Sequence, residues 1–190
     1  MTIRQNFLRL IYPVLKIFAK LTGKGPSIIE NKKNTAPLSS FYKLNFTLNT
    51  GENIFMQQYA GKKILIVNTA SDCGYTAQYA ELQQLQDQHA EILVVIGFPA
   101  NDFKHQEQKG DAEIAEFCKV NYGIHFPLAK KSSVIKGEEQ HKVFHWLSNA
   151  NENGWCNQQP VWNFSKYLIN EKGVLTNFFA PYVNPLDIKI

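Results

Sequence analysis

Cys73 is the residue with the clearest chemical potential, in Asn68-Thr-Ala-Ser-Asp-Cys73-Gly-Tyr-Thr76. It stands between an apolar, β-branched run, Lys63-Ile-Leu-Ile-Val-Asn-Thr69, and a stretch with helical spacing from Thr76 to His89. A thiol in such a loop meets the unpaired N–H groups and the positive end of the helix, which favour the nucleophilic thiolate. Gly74 leaves the backbone beside the sulfur uncrowded. Asp72 opposes ionisation, so a reactive Cys73 needs help from another group. Its plainer alternative is a small buried side chain. No cysteine follows two or three residues later, so this is not a C-x-x-C disulfide oxidoreductase.

Other constellations are weaker. His141 and His145 stand four apart, a spacing at which two imidazoles can share a metal, but no Cys or acidic ligands nearby complete a set, and surface or packing roles suit them better. Asn45-Phe-Thr47 and Asn163-Phe-Ser165 fit the glycosylation pattern, yet nothing else suggests secretion. There is no phosphate loop and no dinucleotide fingerprint, and neither a metal nor a cofactor is expected. Three cysteines cannot build a disulfide framework, which favours a reducing, cytoplasmic setting.

The elements that must hold Cys73 follow from apolar patterning. Phe46-Thr-Leu, Asn49-Thr-Gly51-Glu and Ile54-Phe-Met predict a hairpin with Gly51 in its turn. Lys63–Thr69 is a buried strand, and Thr76–His89 a helix with Tyr79, Leu82 and Leu85 on one face. Ile92-Leu-Val-Val-Ile-Gly-Phe is a second buried strand. Strand, helix and strand in that order imply a parallel pair with a right-handed crossover. Further helices are expected over Asp111–Asn121 and Glu139–Leu147, and a hairpin over Tyr167–Phe179 with its turn at Asn170–Gly173. The fold class is α/β, a mixed sheet with helices on both faces. At 190 residues, with 44% hydrophobic composition, the chain has room for one such domain plus an extension.

That extension carries the basic excess. Residues 1–35 hold seven Lys and Arg against Glu30, a balance of +6, which leaves 13 Lys against 15 acids beyond them. A nucleic-acid-binding body would carry its basic patch on the folded part, and there is none. On a helix, Arg9, Lys16 and Lys20 fall within about 40° of one another. Phe7, Leu8, Ile11, Val14, Leu15 and Phe18 lie largely on the other sides. Pro13 is expected to kink this helix or to start a second one. The apolar stretch is shorter than the roughly 20 residues that span a bilayer, and Lys16 interrupts it. No A-x-A-like cleavage site follows, and no cysteine or second-position glycine invites a lipid. Residues 1–24 therefore read as a basic amphipathic helix on an anionic membrane surface, or as a helix packed against its own domain. Gly23, Gly25 and Pro26 end the element, and Asn31–Pro37 looks like a linker. The chain divides into an extension over 1–38 and a domain over 39–190.

Three blocks then carry a resemblance: Val67-Asn-Thr-Ala-Ser-Asp-Cys73-Gly-Tyr-Thr, Gly97-Phe-Pro-Ala-Asn-Asp-Phe103-Lys-His-Gln106-Glu, and Trp162-Asn163-Phe-Ser-Lys-Tyr-Leu. In order and spacing they resemble the signature blocks of the glutathione peroxidase family, with Phe117-Cys118 and Gly123-Ile-His-Phe-Pro127 between the last two. The likeness runs from about Phe41 to Asp187. It implies a thioredoxin-like fold with an N-terminal hairpin, and a peroxide site of four residues: Cys73 as the peroxidatic thiol with Gln106, Trp162 and Asn163. By itself Trp162 would be a core residue and Gln106 a surface one. As a set they suit the chemistry, because indole and amide N–H groups can hold a thiolate and then the charge on the departing oxygen.

The departures bear on how oxidised Cys73 is reduced. The family's second block usually reads Phe-Pro-Cys-Asn-Gln-Phe-Gly, whereas Ala100, Asp102 and Lys104 stand here. Thioredoxin-using members resemble this chain in carrying a resolving cysteine on the following helix. Cys118 is the possible resolving residue, but it lies one residue before the family's place, held by Lys119. One residue is a turn of about 100°, which leaves Cys118 either at the resolving place or facing the core. Cys156 is a second candidate. Arginine forks suit the carboxylates of glutathione, yet the only arginines are Arg4 and Arg9, so a thioredoxin-type protein is the favoured reductant over glutathione. The sequence thus predicts a peroxidase for hydrogen peroxide and organic or lipid hydroperoxides, in oxidative stress defence, cytoplasmic and able to sit at a membrane surface. The alternative is a peroxide sensor that relays oxidation from Cys73 to a partner thiol. A membrane adaptor with a dead site would need an incomplete tetrad.

Overall fold

In the computed structural model the described residues are 2–22 and 27–190; the side chains at 4, 9 and 15–22 also fall outside the description. The sheet grows from two apolar runs. Strand β4 (Lys63–Thr69) pairs in parallel with β5 (Leu93–Pro99), Ile64 opposite Val94 and Val67 opposite Gly97. Successive side chains point to opposite faces, so Ile64, Ile66, Val94 and Ile96 enter one core cluster and Leu65, Val67, Leu93 and Val95 another. Both faces are covered, which is why these runs do not alternate with polar residues.

The connection between the two strands is α2 (Gln78–Gln88), which buries Tyr79, Leu82 and Leu85 as expected. On the other side of β4 lie β6 (Lys166–Ile169) and β7 (Leu175–Phe179), each antiparallel to its neighbour, with Gly173 at φ +76° in their turn. Helix α3 (Asp111–Tyr122) joins α2 on one face. The other face is covered by the hairpin of β2 (Asn45–Thr47) and β3 (Asn53–Phe55) and by α4 (Lys142–Leu147). The predicted mixed sheet, flanked by helices and preceded by a hairpin, is what forms.

Three features depart from expectation. Helix α1 (Ile3–Thr22) is continuous through Pro13, so no second helix starts there; Pro13 is exposed, and the lost backbone hydrogen bond falls where water replaces it. The stop read at Gly23, Gly25 and Pro26, and the side chains of the Arg9, Lys16 and Lys20 stripe, lie outside the described residues. Second, β1 (Ile28–Glu30) pairs antiparallel with β7, giving the order β1-β7-β6-β4-β5. The stretch read as linker is stitched on as well: Asn31 N–H donates to Thr176 O at 2.8 Å, and Leu38 N–H to Glu152 O at 2.8 Å. Three edge residues are too few to show alternation. Third, α4 begins at Lys142 rather than Glu139, because His141 is its cap, Nδ1 accepting the Val143 N–H at 3.2 Å. A short helix α5 (Ala150–Asn153) follows it.

Candidate active site

Residues 71–77 form a run of turns between β4 and α2, so Cys73 lies ahead of the helix rather than on its first turn. Thr76 fastens this run. Its hydroxyl accepts the Cys73 N–H at 3.0 Å and sits 2.9 Å from Ala70 O and 2.8 Å from Cys73 O. The Tyr75 N–H reaches Cys73 Sγ at 3.4 Å. Cys73 is only 1% exposed, and that burial pushes its thiol above the ordinary value. The Tyr75 N–H, then the side chains of Trp162 and Asn163, pull the other way by hydrogen bonding, while Asp72 adds to the rise. The expectation that the helix start would tip Cys73 toward thiolate is thus corrected: burial outweighs the N–H that reaches it.

The structure brings Trp162 and Asn163 to this thiol and fastens Gln106 to Asn163 and to the backbone of Asp72. Gln106 follows Lys104 and His105, which adopt φ +50° and +53°, two successive left-handed residues that turn the chain back on itself. Gln106 O then accepts the Asp72 N–H at 3.1 Å, and Gln106 Oε1 accepts Asn163 Nδ2–H at 3.0 Å. Asn163 is fully buried. Trp162 is half-buried, its ring 5.5 Å from that of Phe103 and 5.8 Å from Lys104 Nζ. Asn68, at the end of β4, grips this loop. Its Nδ2 donates to Trp162 O at 3.1 Å, its carbonyl accepts the Phe164 N–H at 2.6 Å, and its N–H donates to Ser165 O at 3.3 Å. Phe164, next to Asn163, holds φ +67°, which for a bulky residue costs on the order of 1 kcal/mol and persists because its ring is fully buried.

Sequence reasoning passed over Glu107. It is fully buried, and its Oε2 accepts both the N–H and the hydroxyl of Ser71 at 2.7 Å. It therefore ties the residue after Gln106 to the residue two before Cys73. Burial raises its pKa above the usual carboxyl range, with the Ser71 hydrogen bonds opposing. The available signal was a carboxylate adjoining a site residue inside the second block.

The remaining cysteines separate clearly. Cys118 on α3 is fully buried in the same cluster as Cys73, while Lys119 is exposed, so Cys118 faces the core. Its thiol is pushed up to about 12, chiefly by burial. Cys156 is buried in the cluster on the opposite face of the sheet, its N–H and carbonyl both held at 2.7 Å by the Asn153 side chain. The sheet stands between it and Cys73, which removes Cys156 as a resolving candidate. All three cysteines are free.

The other sequence candidates find structural partners. His141 caps α4 and packs on Phe98 with ring centres 5.1 Å apart, its pKa lowered to about 4 by burial, and His145 Nδ1 meets Glu152 Oε1 at 2.8 Å. Among the described residues no group of three His, Cys, Asp or Glu is placed to hold a metal. Asn163 is too deeply buried to carry a glycan.

Beside Gln106 opens a cleft of about 450 Å³, walled by Asp72, His105, Gln106 and Lys109 and, at the N-terminal side, by Thr2 and by Gln5 of α1. Its Asp72 wall belongs to the loop that carries Cys73. The arrangement as a whole is a buried sulfur flanked by amide and indole donors, with no metal and no histidine base needed for a nucleophile used as its anion.

Comparison with known proteins agrees with this geometry. The model of the glutathione peroxidase family matches residues 41–148. The chain is 42% identical to a glutathione peroxidase homolog, BsaA, of Staphylococcus epidermidis over 153 residues, covering 80% of this chain and 96% of the relative. It is 40% identical to the glutathione peroxidase-like peroxiredoxin HYR1 of Saccharomyces cerevisiae, covering 80% and 93%. The crystal structure of apo Trgpx superposes with a TM-score of 0.60 at 29% identity, over 78% of this chain and 89% of that one. With the thioredoxin-like fold in place, the sequence blocks, the sheet and these relatives converge: the chain belongs to the glutathione peroxidase family and is a peroxidase.

Proposed function

We propose that Cys73 is the peroxidatic nucleophile of a thiol peroxidase that reduces hydrogen peroxide and organic hydroperoxides in oxidative stress defence. The observation that carries this is the convergence of Trp162 and Asn163 on the Cys73 thiol, with Gln106 fastened to Asn163 at 3.0 Å. The thiolate attacks one peroxide oxygen; the S–O bond forms as the O–O bond breaks, leaving Cys73 as the sulfenic acid and releasing water or an alcohol once the departing oxygen takes a proton. Trp162 and Asn163 donate to the thiolate before attack and to the developing negative charge after it. An external thiol then condenses with the sulfenic acid, expelling water, and a second thiol frees Cys73 as a disulfide of the reductant is released. Three free cysteines support a reducing, cytoplasmic setting for this cycle.

A thioredoxin-type dithiol protein is the favoured reductant, because residues 39–190 hold no arginine with which to grip glutathione carboxylates. The buried, protonated state of Cys118 favours direct attack on Cys73 by that external thiol. A second reading, in which Cys118 resolves the sulfenic acid after α3 unwinds, draws on its place in the same cluster as Cys73. Peroxide turnover driven by thioredoxin and by glutathione, on the wild type, Cys73→Ser and Cys118→Ser, tests both. Cys73→Ser is expected to lose turnover with either reductant, and its retention sinks the mechanism. Cys118→Ser is expected to keep thioredoxin-driven turnover; selective loss of it favours the resolving role. A single turnover ending in a stable mixed disulfide would favour the sensor over the multiple-turnover enzyme.

A further inference from the structure

Residues 71–77 form turns, with no ladder or helix of their own, so side chains reaching in from elsewhere fix this backbone. Glu107 holds the N–H and hydroxyl of Ser71, and Thr76 ties the middle of the run to Ala70 and Cys73. Two further holds come from α1, which lies ahead of residue 41, where the family match begins. Gln5 and Tyr12, seven residues apart and so within about 20° on the wheel, turn inward and are each 6% exposed. Gln5 Nε2 donates to Ser71 O at 3.1 Å, two residues before Cys73. Tyr12 sets its ring edge-on to Tyr75, two residues after Cys73, with centroids 6.3 Å apart. It anchors itself by donating its hydroxyl to Glu81 Oε2 of α2 at 2.7 Å.

We propose that Gln5 and Tyr12 are positioning residues for the Cys73 nucleophile, clamping its loop at Ser71 and at Tyr75 so that the Tyr75 N–H stays on the sulfur. This rests on the reading of Cys73 as the peroxidatic thiol. The two contacts bracket that thiol, so one helix holds the run on both sides. At Ser71 the N–H and hydroxyl are taken by Glu107 and the carbonyl by Gln5. Ser71 is fully buried, so water cannot replace the Gln5 amide unless the loop moves. On the other side, the Tyr75 N–H lies 3.4 Å from Cys73 Sγ, and a hydrogen bond weakens steeply as its donor tilts. The Tyr12 ring, fixed by its bond to the Glu81 carboxylate, opposes that tilt. A thiolate gains more from such an N–H than a thiol does, so the clamp favours the reacting form.

The test uses the full chain carrying Gln5→Met/Tyr12→Phe, which keeps the bulk over the loop while removing the amide donor and the anchoring hydroxyl. The first readout is the pH dependence of Cys73 alkylation by iodoacetamide, followed on its own peptide by mass spectrometry. Its midpoint is expected to move up by about half a pH unit, which is about a threefold loss of thiolate at pH 7. The second is the split between half-reactions. kcat/KM for hydrogen peroxide is expected to fall at least about threefold. kcat/KM for the reductant that supports turnover, thioredoxin or glutathione, should stay within about twofold, because its thiol attacks a sulfenic sulfur that carries no negative charge. Leu10→Gln, on the outer side of α1 where Leu10 is 78% exposed, should change neither. An unmoved midpoint, an equal fall in both half-reactions, or the same effect from Leu10→Gln overturns the assignment. Should the double variant lose its fold, Gln5→Met and Tyr12→Phe singly are expected to show smaller shifts in the same direction, and no shift in either overturns it. Alkylation makes no use of turnover, so failure of the peroxidase reading shows separately, as Cys73→Ser keeping its activity.

Discussion

The two faces of the sheet bury similar amounts of apolar side chain yet treat polar atoms differently. The face with the hairpin and α4 is packed from rings and aliphatic chains, such as Phe98 tilted against Phe46 and Phe144, and its one cysteine has its backbone satisfied by Asn153. The face with α2 and α3 holds Cys73 and Cys118, and around it stand buried side-chain atoms without a hydrogen-bond partner, Gln78 Oε1, Glu107 Oε1 and Asn163 Oδ1 among them. Such atoms cost on the order of 1–3 kcal/mol each when desolvated, so a fold keeps them where something other than stability is served. One face stabilises the sheet. The other spends part of that stability on holding a thiol among oriented donors.

The sharpest way to break this comparison is to treat the two faces' cysteines alike. Cys73→Ser should lower kcat/KM for hydrogen peroxide by at least about 10³-fold, since a hydroxyl is not ionised near neutrality. Cys156→Ser should leave kcat/KM within about twofold and appear instead in urea unfolding, at a cost of about 1–2 kcal/mol for a buried hydroxyl. Equal effects on turnover would erase the distinction. Next in size, Asn163→Ala should cost about 10²-fold in kcat/KM, by removing one donor to the sulfur and releasing Gln106 Oε1. Steady-state kinetics at saturating reductant checks it.

A smaller effect sharpens the electrostatic side. Because burial lifts the Cys73 thiol above its ordinary value of 9.0, the thiolate is the minor form from pH 6 to 8. Its fraction, and hence kcat/KM for peroxide, should rise about tenfold per pH unit across that window. A flat profile would mean that the donors outweigh burial. The smallest expected effect concerns Glu107, whose raised pKa means that the folded protein holds that proton more tightly than the unfolded chain. Its contribution to stability is present below the ordinary carboxyl value and falls as pH rises through the folded value. Glu107→Gln keeps an acceptor for Ser71, so the variant should lose that part of the pH dependence and be at least as stable as wild type at pH 7. Urea midpoints at pH 4 and 7 measure it.

Much of this was legible from residue types alone. The buried strands, α2 and both hairpins follow from apolar runs and turn residues, whereas Gln106, Trp162 and Asn163 come only from the resemblance of three blocks to a family, since alone they read as core or surface. What escaped was set by contacts distant in sequence. β1 exists because β7 offers an edge to Ile28–Glu30, and Glu107 matters because Ser71 folds over it. Cys118 differs from Lys119 by one step around a helix, which no pattern resolves until the packing partner is known. Pro13 reads in the sequence as a kink or the start of a second helix because its ring removes a backbone donor; no second helix starts there, since the exposed side of a long helix absorbs the loss.

The grip of Asn68 on Trp162, Phe164 and Ser165 has a consequence for biosynthesis. Cys73 leaves the ribosome about 90 residues before the loop that completes its surroundings, a delay of seconds at about 5–20 residues per second. During that interval β4 lacks its β6 neighbour, and the nascent thiol has neither the burial that restrains its ionisation nor the donors that direct it. On the proposed mechanism the finished enzyme destroys peroxide with that sulfur, while the unfinished chain offers it unguarded to the same oxidant. Cells translating this protein under oxidative stress would therefore be expected to gain from a chaperone or a high thiol concentration at the ribosome exit.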